Sequence, residues 1–538
     1  MTLLSVKNLS VKIDNKAILK NISFDIKRGE IFALLGESGS GKSMTAAAIT
    51  KLLPDHSKMN GRILLENSDI TNYSDNEMCH IRGSQISMIF QEPMTALNPL
   101  KTIGNQISET LRVHKYINRT MADEAAMRGL TRVGLNTNII SPDRFPHELS
   151  GGQRQRVMIA MAVALEPKLV IADEPTTALD VKTQSEILKL LQDLVREDRI
   201  ALLLITHDLA IISKISQRVA IMKDGAILDK GLTSTLFKKP SHPYTRQLLL
   251  AATTKARARP LTSKKILMHI SALSKTYRRQ IQTGNENKRN RPTLQNISFS
   301  VYHGECLGIV GESGCGKSTL ARSIMGLEAV DTGDINLDGS PVTFKSKTNL
   351  QVRAKMQIVF QDPFSSFDPR HPIKRIISEP FNLLKKKPLD EHKRILLKTA
   401  IIDVGLKETD LEKYPHQFSG GQRQRIAIAR AIIIKPKVII LDEALSALDA
   451  TLRNNMIVLL QKLSLDYNLS YIFISHDITL VKAITNRVLI MKDGKIVESG
   501  DTNQVIKYPK CRYTKLLINS TPSIPKDWLR ESKPQGAR

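Results

Sequence analysis

The sequence predicts an α/β chain built twice over: two successive domains of one fold, each with a mainly parallel sheet core covered by helices. Three observations lead there. Five motifs recur in the same order in both halves of the 538 residues. Short apolar runs rich in branched residues precede the glycine loops and the Asp-Glu pairs. Helix-forming stretches lie between those runs, and strand–loop–helix alternation marks parallel sheets.

The repeat sets the organisation. LLGESGSGKS at Leu34–Ser43 returns as IVGESGCGKS at Ile309–Ser318. MIFQEP, ending at Pro93, returns as IVFQDP, ending at Pro363. LSGGQRQR from Leu149 returns as FSGGQRQR from Phe418, and LVIADEPTTALD from Leu169 returns as VIILDEALSALD from Val438. LLITHD ends at Asp208 and IFISHD at Asp477. Gln91 and Gln361 stand 270 residues apart, whereas Lys42 and Lys317 stand 275 apart. The extra length is largely the basic insert RRQIQTGNENKRNR after Tyr277. The unit is about 250 residues, a normal domain size. The expected boundaries are a first domain at 1–255, a linker at 256–266 within TTKARARPLTSKK, and a second domain at 267–520. A loose tail is expected from Thr521 onward, over 521–538.

Apolar runs such as Ile200–Thr206 fall far short of the roughly 20 residues a membrane helix needs. They read as buried parallel strands. The N-terminal stretch lacks a signal-peptide pattern, because charges interrupt it. Any membrane role therefore runs through a partner. Cys79, Cys306, Cys315 and Cys511 have no CxxC spacing, so neither a metal site nor a disulfide framework is expected. That usage fits a reducing compartment. The balance of 79 Lys+Arg against 52 Asp+Glu gives +27. Two readings stand: a surface facing anionic lipid or nucleic acid, or basic side chains spread over the whole exterior.

GESGSGKS and GESGCGKS fit GxxxxGK[ST], each after a strand and before a helix. Small residues let backbone N–H groups converge on phosphate at a helix N-terminus. The expected binding residues are Gly36, Ser38, Gly39, Gly41, Lys42 and Ser43, with Gly311, Ser313, Gly314, Gly316, Lys317 and Ser318. The lysines reach the β- and γ-phosphates, and Ser43 and Ser318 hold Mg²⁺. Asp173–Glu174 and Asp442–Glu443 end apolar strands. Alone, such pairs read as solvated strand ends. Beside the glycine loops, the aspartates read as metal-holding and Glu174 and Glu443 as polarising the attacking water. His207 and His476 follow apolar strands, where α/β ligand sites form, and read as γ-phosphate contacts. Gln91 and Gln361 are neutral amides that sense metal or water without adding charge. Ser150, Gly151, Gly152 and Gln153, with Ser419, Gly420, Gly421 and Gln422, place a helix cap and exposed N–H groups where an anion binds.

This set of motifs, in this order, resembles the nucleotide-binding domain of ATP-binding-cassette (ABC) proteins, twice over. The resemblance implies two tandem P-loop NTPase domains, each with a helical subdomain, in the stretches Glu92–Glu148 and Asp362–Gln417. It implies ATP and Mg²⁺ as cofactors and a head-to-tail pair of sites. One site would join Lys42, Ser43, Gln91, Asp173, Glu174 and His207 to Ser419–Gln422. The other would join Lys317, Ser318, Gln361, Asp442, Glu443 and His476 to Ser150–Gln153. Asp180 and Asp449 match the loop that couples the two sites. Tyr277 stands where the family stacks an aromatic on adenine, and Ile13 is its counterpart in the first half. Because both sites keep every catalytic residue type, both are expected to hydrolyse ATP.

FQEPMTALNP, FQDPFSSFDPR and PSHPYTRQLL look like the ATPases of bacterial oligopeptide, dipeptide and nickel importers, and PKCRYTKLL is a weaker copy of the last. The fusion of two ATPases is similar to importers of microcin C and oligopeptides. The resemblance implies two integral-membrane permeases and an extracytoplasmic peptide-binding protein as partners, at the cytoplasmic face of the inner membrane, with no nucleic acid. With Cys511 alone in the region where many of the group bind an iron–sulfur cluster, no cluster is expected. The rival is a tandem ABC translation factor on the ribosome. That class has a long charged linker between its domains, unlike the short one here.

Overall fold

The computed structural model describes residues 1–538 except 116, 178, 254–260, 262, 278–291, 345–349, 364, 447 and 530–538. The expected linker falls mostly outside the described residues, as does the whole of the basic insert.

Each half contains two sheets. In the first, four antiparallel strands run in the order Lys16–Lys27, Thr2–Ile13, Ser57–Leu65, Ser68–Asp69. The second sheet runs Ala226–Leu232, Arg218–Lys223, Ile31–Gly36, Ala201–Thr206, Leu169–Asp173, Ile86–Ile89. All its neighbours are parallel except the first pair. The strand Ile31–Gly36, which carries the glycine loop, lies inside the sheet beside Ala201–Thr206. Every residue of Ile31–Gly36, Leu169–Asp173 and Ala201–Thr206 is buried. That is why these strands read as unbroken apolar runs rather than alternating ones. The second half repeats both sheets in the same order. Its loop-bearing strand Cys306–Val310 lies between Ser470–Ser475 and Arg487–Lys492.

A helical subdomain sits between the Gln91 segment and the SGGQ helix. In the first half, Ile103–Lys115 buries Ile103, Ile107 and Leu111 against its neighbours. Arg119–Arg132 buries Ala126 and Leu130 beside it. The second half differs at the first of these helices. Ile373–Ser378 is short and passes into a 3₁₀ turn, Glu379–Leu383. Pro380 lacks the N–H an α-helix needs and its ring crowds the preceding turn.

The halves pack crosswise. Helix Pro243–Thr253 of the first lies on Ala450–Asp466 of the second, and Arg512–Ser520 of the second lies on Val181–Asp198 of the first. The tail is not loose over 521–529. Trp528 is 3% exposed within a cluster of the first half containing Phe237, Tyr244 and Leu248. Its ring stacks on Phe237 at 4.8 Å, and Asp527 pairs with Lys238 at 2.9 Å. A lone aromatic near a polar terminus carries no periodicity, so its burial was not readable from the sequence.

Candidate nucleotide sites

Both glycine loops follow a buried strand and open a helix, Lys42–Ile49 or Lys317–Ile324. Gly41 and Gly316 cap these helices with φ of 103° and 104°, a left-handed backbone that suits glycine. At Gly36 a Cβ would fall 2.5 Å from the Met222 carbonyl oxygen, and at Gly311 it would fall 2.4 Å from that of Met491. The loops are thus wedged against the neighbouring strand, while Ser38, Gly39, Ser313 and Gly314 are exposed. The result is a cradle of backbone N–H groups open on one side. Lys42 Nζ donates to the Gly36 and Glu37 carbonyls, both at 2.8 Å. Lys317 does the same to Gly311 and Glu312 at 2.8 and 2.9 Å. Each ammonium is buried and held beside the loop.

The acidic pairs end their strands facing these loops. Glu174 and Glu443 have φ of 48° and 51°. A non-glycine residue in that region costs on the order of 1–3 kcal/mol, and such strain gathers at functional sites. The conformation recurs in both halves, as it also does at the turn pair Asp224 and Asp493. Glu174 Oε1 lies 2.9 Å from His207 Nδ1, and Glu174 Oε2 accepts from Thr177 Oγ1 at 3.0 Å and Gln91 Nε2 at 3.1 Å. In the second half, Glu443 lies 3.3 Å from His476 Nδ1 and 3.8 Å from Lys317 Nζ. Gln361, the counterpart of Gln91, is exposed. Burial pushes both glutamates up, but hydrogen bonds and charge from the histidines, with the lysines, bring them below the usual range. They are therefore carboxylates at neutral pH, suited to accept a proton or orient water. Asp173 and Asp442 are pushed up by burial, and the hydroxyls of Ser43 and Ser318 oppose this.

These residues fit Mg²⁺. Asp173 Oδ1 is buried without a hydrogen-bond partner, and Ser318 Oγ lies 3.4 Å from Asp442 Oδ1. An all-oxygen set of carboxylate and hydroxyl is the donor chemistry that cation takes. When bound, the ion neutralises phosphate charge. Ser43, Gln91 and Asp173, with Ser318, Gln361 and Asp442, are the residues that would hold it.

Ser150 and Ser419 each close a capping box. Their hydroxyls accept from the Gln153 and Gln422 N–H at 3.3 and 3.4 Å, and those glutamines accept in return. The glutamine Oε1 atoms are thus engaged in the caps; Ser150, Ser419 and Gly420 are exposed and Gly151 and Gly152 half-exposed, while Gly421, expected at the site, is buried. Tyr277 is 44% exposed and its hydroxyl donates to Glu328, so it is not a core aromatic. Ile13 is partly buried against the sheet. Charges reach across the halves: Asp449 acts on Lys42, and Lys182 pairs with Glu312 at 3.9 Å.

The family described as ABC transporter matches residues 19–177 and 294–446. The chain belongs to this family. A second family, described as oligopeptide/dipeptide transporter, C-terminal region, matches residues 230–272 and 497–538. The peptidoglycan transport ATP-binding protein YejF of Agrobacterium fabrum is 41% identical over 525 residues, covering 96% of both chains. The uncharacterized ABC transporter ATP-binding protein YejF of Escherichia coli is 40% identical over 526 residues, covering 96% of this chain and 99% of that one. The glutathione import ATP-binding protein GsiA of Pectobacterium atrosepticum is 37% identical over 565 residues, covering 96% and 89%. This ABC protein is an ATPase with two nucleotide-binding domains in one chain.

Thr177, Tyr244, Tyr513 and Lys182 were not singled out by sequence reasoning, yet each touches or flanks a site. The repeat of HPYTR as CRYTK was the available signal for the tyrosines.

Proposed function

We propose that this chain is the energising subunit of a bacterial importer of peptides. The observation that carries it is the oligopeptide/dipeptide C-terminal region, which follows each ATPase domain. Relatives across nearly the full length are named for glutathione import and peptidoglycan transport, and both substrates contain peptide. The substrate class proposed is short peptides, with a peptide antibiotic or nickel as further cases of the same group.

Each MgATP would lie between the glycine loop of one half and the SGGQ helix of the other. Lys42 and Lys317 would hold the phosphates. Glu174 and Glu443 would orient and deprotonate the attacking water, with His207 and His476 fixing the carboxylates and contacting the γ-phosphate. Fusing the halves makes closure intramolecular and raises their effective concentration. Among the described residues no helix is long and apolar enough to cross a membrane. The partners proposed are two integral permeases, met at the helical subdomains on the cytoplasmic face, and an extracytoplasmic peptide-binding protein beyond them.

The test is a pull-down. The Glu174→Gln, Glu443→Gln double variant is trapped with ATP in its host and extracted in mild detergent. Two polytopic membrane proteins are expected with it. Ribosomal subunits without a permease would replace the importer with the translation-factor reading and turn the +27 charge into an RNA-binding surface.

A further inference from the structure

The C-terminal helix of each half carries a tyrosine at the same place. Tyr244 on Pro243–Thr253 is 4% exposed, and Tyr513 on Arg512–Ser520 is 6% exposed. Neither belongs to the glycine loops, yet both reach them. The Tyr513 hydroxyl accepts the Glu312 N–H at 3.1 Å. Glu312 is the second residue of the loop, outside the run of amides from Ser313 that opens toward a phosphate. Tyr244 lies near Glu37, the matching residue, but its buried hydroxyl has no hydrogen-bond partner among the described residues. Lysines cover both rings: Lys492 Nζ lies 5.2 Å from the Tyr513 centroid, and Lys223 Nζ lies 4.5 Å from that of Tyr244. Each ring is therefore covered by a lysine, and the Tyr513 hydroxyl is bonded to its loop.

The same helices make the crosswise contacts between halves. Arg512–Ser520 lies on Val181–Asp198, the helix that begins just after Asp180. Lys182, in the first turn of that helix, pairs with the Glu312 carboxylate at 3.9 Å. Glu312 is thus held twice: its N–H by its own half through Tyr513, its carboxylate by the opposite half through Lys182. The first loop lacks the second hold, because Thr451 stands where Lys182 does.

We propose that Tyr513 is a positioning residue for the second nucleotide loop, passing the docking of the opposite half to that loop together with Lys182 through Glu312. This rests on reading the loops as nucleotide sites. It makes the two sites unequal although their catalytic residue types match: the opposite half pairs directly with the second loop through Lys182 and Glu312, whereas it reaches the first through the charge of Asp449 on Lys42.

The experiment uses the full chain carrying Lys42→Ala, so that MgADP titrated by calorimetry reads the second loop. Tyr513→Phe keeps the ring and removes the acceptor. It should weaken MgADP by about two- to tenfold, the range of one net hydrogen bond, with an unchanged melting midpoint. Lys182→Met should weaken it by about twofold or less, as an exposed pair does, and Lys182→Arg should restore it. The double variant should be weaker by less than the product of the two single effects, because both act through Glu312. Unchanged affinity in Tyr513→Phe would overturn the proposal. So would multiplicative effects, or a loss that tracks a fall in the melting midpoint. Lys317→Ala in the same background separates the two levels. If it still binds MgADP, the site reading itself fails. If it loses binding while Tyr513→Phe does not, the positioning role alone fails.

Discussion

Phe237→Ala should free the C-terminal tail, and the protein contains its own reporter. Trp528 is the single tryptophan of the chain and is 3% exposed. Among the contacts that hold it on the first half are the stack on Phe237 at 4.8 Å and the Lys238–Asp527 pair at 2.9 Å, with a hydrogen bond from Ser213 Oγ to the Ser523 carbonyl at 3.4 Å. Their weights differ. The side chains of the pair are 46% and 55% exposed, so it contributes about 0–1 kcal/mol. Removing a buried aromatic costs about 3–5 kcal/mol, so the rings dominate. That figure is a ceiling for the tail, because a terminal segment undocks before the domain unfolds. The assay is tryptophan emission with acrylamide quenching. The parent should emit as a buried indole and resist quenching. Phe237→Ala should shift emission to that of a solvated indole, while Asp527→Asn should change little. A parent that already emits as a solvated indole would refute the reasoning. So would an Asp527→Asn effect equal to that of Phe237→Ala.

Three further outcomes follow from the same physics. The native Glu174 carboxyl lies below its unfolded value, so its stabilisation is complete above about pH 4.3 and is lost as pH falls through the lower native value. The limb of single-turnover hydrolysis set by Glu174 should therefore lie well below neutrality, and His207→Ala should move it upward in a pH–rate profile. Asp173 runs the other way: burial raises it, so its charge costs stability above the native value. Asp173→Asn should raise the melting midpoint of the nucleotide-free chain at neutral pH while abolishing turnover. Cys79 is exposed, whereas Cys306 and Cys315 are buried and their thiols are pushed up. Maleimide should label Cys79 first, as mass spectrometry of digested protein would show, and labelling of Cys315 should lag well behind.

Much of the fold was written in local pattern. The run LVIAD reads as a buried strand because every residue of Leu169–Asp173 is inside, and the glycine loops announce the helices that follow them. Candidate site residues close to a motif were legible for the same reason: Lys42, Asp173 and Glu174 stand at fixed distances from a strand end. What was not legible depends on contacts far along the chain. The Tyr513–Glu312 bond spans 201 residues, and Trp528 packs on a helix of the other half. Neither leaves a period or a spacing. The left-handed φ of Glu174 was hidden too, since residue type alone favours no such backbone. The broken helix at Pro380 could have been read, because proline marks helix ends directly.

On the proposed function, each ATP would be held between the loop of one half and the SGGQ helix of the other. The direct measurement is disulfide trapping across the proposed site. Ser38 and Ser419 are exposed, as is Ser150. The chain carrying Glu174→Gln and Glu443→Gln receives either the pair Ser38→Cys and Ser419→Cys or the pair Ser38→Cys and Ser150→Cys. Mild oxidation is followed by peptide mapping with and without MgATP. An ATP-dependent disulfide is expected between positions 38 and 419 and none between positions 38 and 150. A link within the first half, or no ATP dependence for the cross-half pair, would contradict it.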